Sequence, residues 1–250
     1  MNWLPPNGSL HGVALDQLLR WNLAVIFSLF IAAHLLIVAA FLFRRRGAGT
    51  NRSGASTLRP LIILETLALL ALTVLYIGMD ATGHRLWAAT HIESASGSAI
   101  KVEVTGAQFQ WYFRYPGPDG AYGALRPNLV SAPTGNPLGL DPEDPHSADD
   151  IVSALLVLPA GQPVDLLLRS QDVIHGFFVP GMRLKQDAIP GMTGELRFTP
   201  TTDGDYPILC SQVCGLGHSR MQARLRVVSP EQYKTWLAAR EHSTVAGSAR

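Results

Sequence analysis

The sequence predicts a membrane-anchored all-β protein: a two-helix transmembrane hairpin followed by a Greek-key β-sandwich or barrel. Three observations carry this expectation. Two long apolar runs sit in the first third of the 250-residue chain. A basic loop without a single acid separates them. The remainder is built from short alternating segments bounded by Pro, Gly or Asp, the pattern of half-buried strands.

Residues 1–20 read as an extracytoplasmic N-terminal segment. Trp21 to Phe43, "WNLAVIFSLFIAAHLLIVAAFLF", contains no formal charge. As a helix it is roughly 35 Å long, enough for a hydrocarbon core of about 30 Å. It is too long for the apolar region of a signal peptide, and its arginines follow the run instead of preceding it. Residues 44–60 form the basic loop, with Arg44, Arg45, Arg46, Arg52 and Arg59. The positive-inside rule places that loop in the cytoplasm and both termini outside. Leu61 to Met79 is the second span, with one charge at Glu65. Residues 80–98 then read as a linker.

The exported part, residues 99–228, begins with "IKVEVTG" and continues through "SALLVLP", "PVDLLLRS", "GELRFTP", "GDYPILC" and "ARLRVVS". Six or more short strands of this kind suggest a sandwich or Greek-key barrel. Residues 116–150, rich in Pro, Gly, Asn and Asp, are expected as a surface insertion between early strands. In residues 229–250, Ser229, Pro230 and Gln232 form a capping-box arrangement with proline at the first helical position, so a short helix and a tail are expected.

The formal net charge of +1 gives no basic face of the kind that nucleic-acid binding needs. The chemistry gathers in "CSQVCGLGHSRM", Cys210 to Met221, which holds both cysteines of the chain. An extracytoplasmic location permits a disulfide. Thiolate, thioether and imidazole together are also the ligand mixture used for copper electron transfer, whereas structural zinc rarely recruits methionine. His218, Met221 and the loop glycines Gly215 and Gly217 favour a metal over a disulfide without excluding the disulfide. Upstream, "DVIHGFFVPGMRLKQDAIPG" places His175 among apolar residues, where a lone histidine is more often a core residue than a ligand. No C-x-x-C-H motif occurs, so no haem is expected on this chain.

Taken together, these two motifs resemble subunit II of the haem-copper oxidases, and the resemblance runs over essentially the whole chain. It implies a cupredoxin-like domain with a binuclear CuA centre of two copper ions. The implied ligands are His175, Cys210, Cys214, His218, Met221 and the backbone carbonyl of Gln212, with both cysteine sulfurs bridging. It implies an electron-uptake subunit of a cytochrome-c oxidase, an oxidoreductase that translocates protons. The chain would take electrons from cytochrome c or a similar donor and pass them to haem in subunit I, where oxygen becomes water; alone it would only carry electrons. Implied partners are subunit I, subunit III, the donor and membrane lipid, with no nucleic acid. The implied place is the bacterial cytoplasmic membrane, copper domain and both termini on the periplasmic side. Other readings are a nitric oxide reductase subunit and a free-standing membrane-anchored copper carrier. A quinol-oxidase subunit lacks the copper ligands present here.

The chain departs from the family pattern at three places. The family usually has glutamate between the cysteines, reaching a magnesium at the subunit I interface. Gln212 keeps the carbonyl ligand, but a neutral amide is a poor magnesium ligand. In "GAQFQWYFRY" the tryptophan that receives electrons falls opposite Phe109, with Trp111 two residues on and expected on the same strand face; either would be the uptake point. Tyr112 and Phe113 read as packing residues. Glu65 falls where the family often has a proton-path glutamate, and an ionisable group in a span is a functional candidate. His34 is expected to hydrogen-bond a neighbouring subunit. Lys185 and Asp187 match positions facing subunit I. Asp119, Glu143, Asp144, Asp149, Asp150 and Asp172 are a candidate docking surface for a basic donor.

Overall fold

The structure, a computed structural model, describes residues 4–46, 58–91 and 99–248. Most of the basic loop expected over 44–60, including Arg52, and residues 92–98 of the expected linker lie outside the described residues. The chain divides into two units, Ala14–Ala88 and a second made of Met1–Val13 with Ala89–Arg250.

The first unit is carried by α1 (Gly12–Arg46) and α2 (Leu58–His91), both apolar and long enough to cross a membrane. Side chains such as Phe27, Leu36, Ile63 and Leu70 are exposed, a costly arrangement in water and a neutral one in hydrocarbon. Several polar groups are satisfied within their own helix: Thr66 and Thr73 hydroxyls each donate to the carbonyl four residues back at 2.8 Å, and His34 Nδ1 pairs with the Phe30 carbonyl at 2.8 Å. Such internal closure is what a lipid environment demands. Helix α2 runs past the apolar span through residues 80–91, which the sequence reading gives to a linker. "DATGHRLWAATH" carries no proline, so nothing interrupts the helical hydrogen bonds where the membrane would end.

The second unit is a sandwich of two five-stranded sheets. The strands are β1 (Ile100–Ala107), β2 (Gln110–Tyr115), β3 (Ile151–Ser153), β4 (Leu155–Pro159), β5 (Val164–Ser170), β6 (His175–Val179), β7 (Leu184–Ala188), β8 (Gly194–Phe198), β9 (Gly204–Cys210) and β10 (Gln222–Val228). One sheet has the order β3-β2-β1-β5-β8 and the other β4-β10-β9-β6-β7. The pairs β1–β5 and β4–β10 are parallel and the rest antiparallel. This is the cupredoxin-like sandwich that the strand pattern and the motifs predict. Alternate residues fill the core: Val102 and Val104, Trp111, Phe113 and Tyr115, Leu166 and Leu168 from one sheet meet Leu156, Phe177, Ile208 and Leu225 from the other. Each fully buried Val, Leu or Phe of this set contributes roughly 1.5–3 kcal/mol.

The segment 116–150 falls between β2 and β3, as the expected insertion does, but is not wholly at the surface. It lies on the outer face of β1 and β2 and buries Leu138, Asp141, Ser147 and Asp150. The cause is charge. Arg114, on the outer face of β2, is buried and donates through Nη1 to Glu103 at 3.0 Å and through Nε to Asp150 at 2.9 Å. It also donates through Nη2 to the Gly123 carbonyl and to Asp150. Leaving those charges unpartnered would cost far more than ordering the loop, so the loop folds over them. Glu103 and Thr105, polar positions of the "IKVEVTG" alternation, are therefore buried as well.

Two further segments close the sandwich. The N-terminal residues run as a strap along it: Gly8 N–H donates to the Gly181 carbonyl at 2.8 Å, Thr201 N–H to the Gly8 carbonyl at 2.7 Å, and Ser9 Oγ to the Met182 carbonyl at 2.8 Å. Helix α3 (Pro230–Ser248) opens with the reciprocal Ser229–Gln232 bonds of a capping box, at 3.2 and 3.3 Å. Its Trp236 ring packs on Tyr115 at 5.1 Å between centroids.

Candidate metal centre

The first residue of β6 and the last of β9 bring two chemistries together. These strands pair antiparallel, with Phe177 opposite Cys210, and just beyond the pairing Ser211 N–H donates to the Gly176 carbonyl at 2.9 Å. A Cβ at Gly176 would stand 2.2 Å from Ser211 Oγ, so the close approach requires glycine. The chain then loops through Gly215, at φ +135, and returns as Met221 beside its start, where Cys210 N–H donates to the Met221 carbonyl at 3.2 Å.

This path gathers the side chains. Cys210 Sγ lies 3.8 Å from Cys214 Sγ and 3.2 Å from the Gln212 carbonyl oxygen. Cys214 Sγ lies 3.8 Å from His218 Nδ1 and 3.7 Å from Met221 Sδ. One ligand atom each from His175, Cys210 and Cys214 falls within 4.8 Å of the others. Both thiols are free. Burial first, and the neighbouring Cys210 second, push the Cys214 thiol up to about 11, so a metal would have to displace its proton.

His175 is fully buried. Its Nε2 sits 2.7 Å from Asp172 Oδ1, and since a carboxylate only accepts, Nε2 carries the proton. Nδ1 is buried and has no partner among the described residues. Asp172 is held in turn by the N–H groups of Gln108 at 2.6 Å and Val173 at 2.7 Å. Burial works against its charge, but these three bonds outweigh it and hold the carboxyl below its ordinary value. Trp111 meets the His175 ring edge-on at 5.8 Å.

Residues 100–228, just over half of the chain, match the family profile described as "Cytochrome C oxidase subunit II, periplasmic domain". The chain belongs to the cytochrome c oxidase subunit II family. It is 42% identical over 151 residues to the "Alternative cytochrome c oxidase subunit 2" of Bradyrhizobium diazoefficiens, a match covering 60% of this chain and 53% of that one. It is 33% identical over 147 residues to "Cytochrome c oxidase subunit 2" of Synechocystis, covering 59% and 35%. The chain thus spans about half the length, or less, of these relatives. Among solved structures, the periplasmic domain of subunit II of cytochrome oxidase (CoxB) from Bradyrhizobium japonicum aligns with a TM-score of 0.45 at 24% identity, over 60% of this chain and 99% of that one.

The subunit II family implies copper, and the donor set fits it. Cys214 Sγ has a second thiol, a thioether and an imidazole nitrogen within 4 Å, and the buried Nδ1 of His175 has no partner among the described residues; soft sulfur with imidazole is the copper preference. The set around Gln212 does not fit magnesium. The Gln212 amide nitrogen donates to Asp187 Oδ2 at 2.7 Å, and Lys185 Nζ approaches Asp187 Oδ1 at 3.4 Å. Magnesium wants oxygen ligands, and here two nitrogen donors already occupy the one carboxylate.

The other expected residues fall as follows. Trp111 is 0% exposed, whereas Phe109 is 38% exposed. They do not share a strand face: Ala107 and Gln110 are the last β1–β2 pair, so Phe109 lies in the turn, and only Trp111 enters the pleat. Glu65 and His34 lie exposed on α2 and α1 in the helical unit. Of the acids, Asp119 pairs with His146, Asp150 with Arg114 and Asp172 with His175, while Asp144 accepts the Ala124 N–H at 2.7 Å. Sequence reasoning missed two residues of the site. Asp172 was singled out only as a candidate docking acid, not as the partner of His175, and Gln108 was given no role.

Proposed function

We propose that the chain is the electron-uptake subunit of a haem-copper terminal oxidase. It accepts electrons from cytochrome c or a similar donor at a binuclear copper centre and hands them to haem in subunit I, where oxygen is reduced to water. The observation that carries this reading is the His175 ring, which brings a nitrogen within 4.8 Å of two free thiols and whose buried Nδ1 has no partner among the described residues. His175, Cys210, Cys214, His218, Met221 and the Gln212 carbonyl are the residues that would hold the metal. Bound copper supplies one-electron redox chemistry. The residues supply the rest. Burial of His175, Cys214 and Met221 keeps water from the ligands. The β6–β9 pairing holds the two ligand segments at a fixed separation, which keeps rearrangement on gaining an electron small. Asp172 fixes the His175 tautomer, the usual work of a carboxylate behind a ligating histidine.

The half-exposed Phe109 beside the ligand loop suits the point of electron uptake better than the buried Trp111, whose place is against His175. α1 and α2 anchor the subunit, and the basic loop directs the sandwich to the periplasmic face; Glu65 is a proton-path candidate within that anchor. The domain division at residues 99–228 and the partnership with subunits I and III belong to the same reading.

Electron paramagnetic resonance on the copper-loaded full chain tests it. A hyperfine pattern from one electron shared by two equivalent copper nuclei is expected. A single-nucleus pattern, or no copper uptake by the reduced chain, overturns the binuclear reading. Oxygen and nitric oxide consumption by the purified complex then separates the two terminal acceptors.

A further inference from the structure

The ligand set arrives on two separate pieces of chain, the segment that ends in His175 and the loop from Cys210 to Met221. The sheet holds them together only as far as the Ser211–Gly176 bond. Beyond it the loop leaves the sheet, and the tip of the β1–β2 hairpin comes in from outside. Gln108 touches both pieces. Its backbone N–H donates to Asp172 Oδ2 at 2.6 Å, and Asp172 Oδ1 holds His175 Nε2 at 2.7 Å. Its side-chain amide donates to the Cys214 carbonyl at 2.5 Å. The neighbouring Phe109 ring covers the same loop so closely that a Cβ at Gly217 would stand 2.4 Å from it.

We infer that Gln108 is a positioning residue for the metal centre, a strut that sets the Cys214 end of the loop against the Asp172–His175 pair. This rests on the copper reading above. The hairpin itself does not require the side chain, because the Ala107–Gln110 pairing closes the turn through backbone alone. The amide is required for its chemistry. Only a donor answers the Cys214 carbonyl; a carboxylate of the same reach would set one acceptor against another. Fixing Cys214 at its carbonyl fixes the direction of its thiol, which lies within 4 Å of Cys210, His218 and Met221. One residue thereby ties the Asp172–His175 pair to the Cys214 end of the loop, beyond the stretch that the β6–β9 pairing holds. It is also the residue next to the exposed aromatic ring, so the point where a donor would touch the chain and the frame of the centre share one turn.

The experiment uses the full chain in detergent, loaded with copper. It compares wild type with Gln108→Ala, Gln108→Met, Gln108→Glu and, as a control on the same hairpin, Gln110→Ala. The readings are the rate of copper loss to a chelator and the hyperfine splitting. A third reading, amide hydrogen exchange at Cys214–Gly217, is taken on the metal-free chain. The three Gln108 variants are expected to lose copper about 10- to 100-fold faster, as for other residues behind metal ligands, with altered splitting and faster exchange in the loop; Gln110→Ala matches wild type. Gln108→Met keeps the reach and removes only the donor, so it carries the test if Gln108→Ala does not fold. Wild-type retention and splitting in Gln108→Met, or equal damage from Gln110→Ala, overturns the strut. A wild-type chain that takes up no copper overturns the copper reading as well, and is recognised by that control alone.

Discussion

Two irregular segments on the sandwich treat their polar atoms in opposite ways. In residues 116–150 charge meets charge: Asp150 with Arg114, Asp141 with Arg126 at 2.6 Å, Asp119 with His146. The ligand loop from Cys210 to Met221 contributes soft and neutral donors that meet no opposite charge, and the buried Nδ1 of His175 beside it is left without a partner. A segment whose charges meet opposite charges, its own or those of the sheet beneath, is part of the scaffold. The insertion also leaves Tyr122 Oη, Asp149 Oδ1 and Asp150 Oδ1 buried without a hydrogen-bond partner, so an orphan atom alone does not mark a site; soft donors gathered together do. The contrast separates structure from function where composition alone would make the acid-rich insertion the more eventful of the two.

The comparison can be broken at either side, and the largest effect is expected in the loop. Cys210→Ser or Cys214→Ser should abolish the shared-electron copper signal; a native spectrum in both variants refutes the assignment. On the scaffold side, Arg114→Leu leaves Asp150 buried without its cation and Glu103 with only Arg169, at 3.3 Å. Breaking such a pair costs about 3–5 kcal/mol, which a chemical denaturation series on the sandwich would read. Wherever the variant remains folded its copper spectrum should stay native, and a changed spectrum would show that scaffold and site are not separable. Met221→Leu is milder: the thioether is lost but both thiols and both imidazoles stay, so copper should be retained with a shifted potential, measured by redox titration.

The smallest effect concerns pH and the insertion. Asp119 is held below its ordinary 3.8 chiefly by its hydrogen bond to His146. His146 is raised above its ordinary 6.5 by the same bond. The raised histidine contributes fully below 6.5 and its contribution fades as pH rises through the raised value. The lowered carboxylate contributes above 3.8 and its contribution fades as pH falls through the lowered value. Protection of the Ala121 amide, which donates to Asp119 at 2.8 Å, should therefore be greatest in the mildly acidic window between 3.8 and 6.5. His146→Ala should flatten that dependence. A profile unchanged in the variant would assign the protection to backbone alone.

Much of this was legible in the chain. The apolar spans, the alternation of Val102 and Val104 and the capping box at Ser229 all depend on neighbours a few residues apart, and local periodicity records such neighbours directly; that "DVIHGFF" stands with "CSQVCGLGHSRM" was implied by the family resemblance alone. The burial of Glu103 was not legible, because its partner Arg114 lies on another strand and its cover, Asp150, across a long insertion. Phe109 and Trp111 could not be told apart either, since the position of the turn, not the spacing of aromatics, decides which ring enters the core.

The sequence by itself determined what kinds of atom the site could offer, sulfur, thioether and imidazole within one short loop and one strand end, and that two helices could hold it to a membrane. Only the tertiary structure decided which histidine nitrogen is free, because that follows from Asp172 taking the other one. It also decided that the Gln212 amide is spent on Asp187, and that a turn more than a hundred residues upstream in the chain braces Cys214 through Gln108. Ligand identity is local chemistry. Ligand direction is set by hydrogen bonds between segments far apart in the chain, and those exist only once the sandwich has closed.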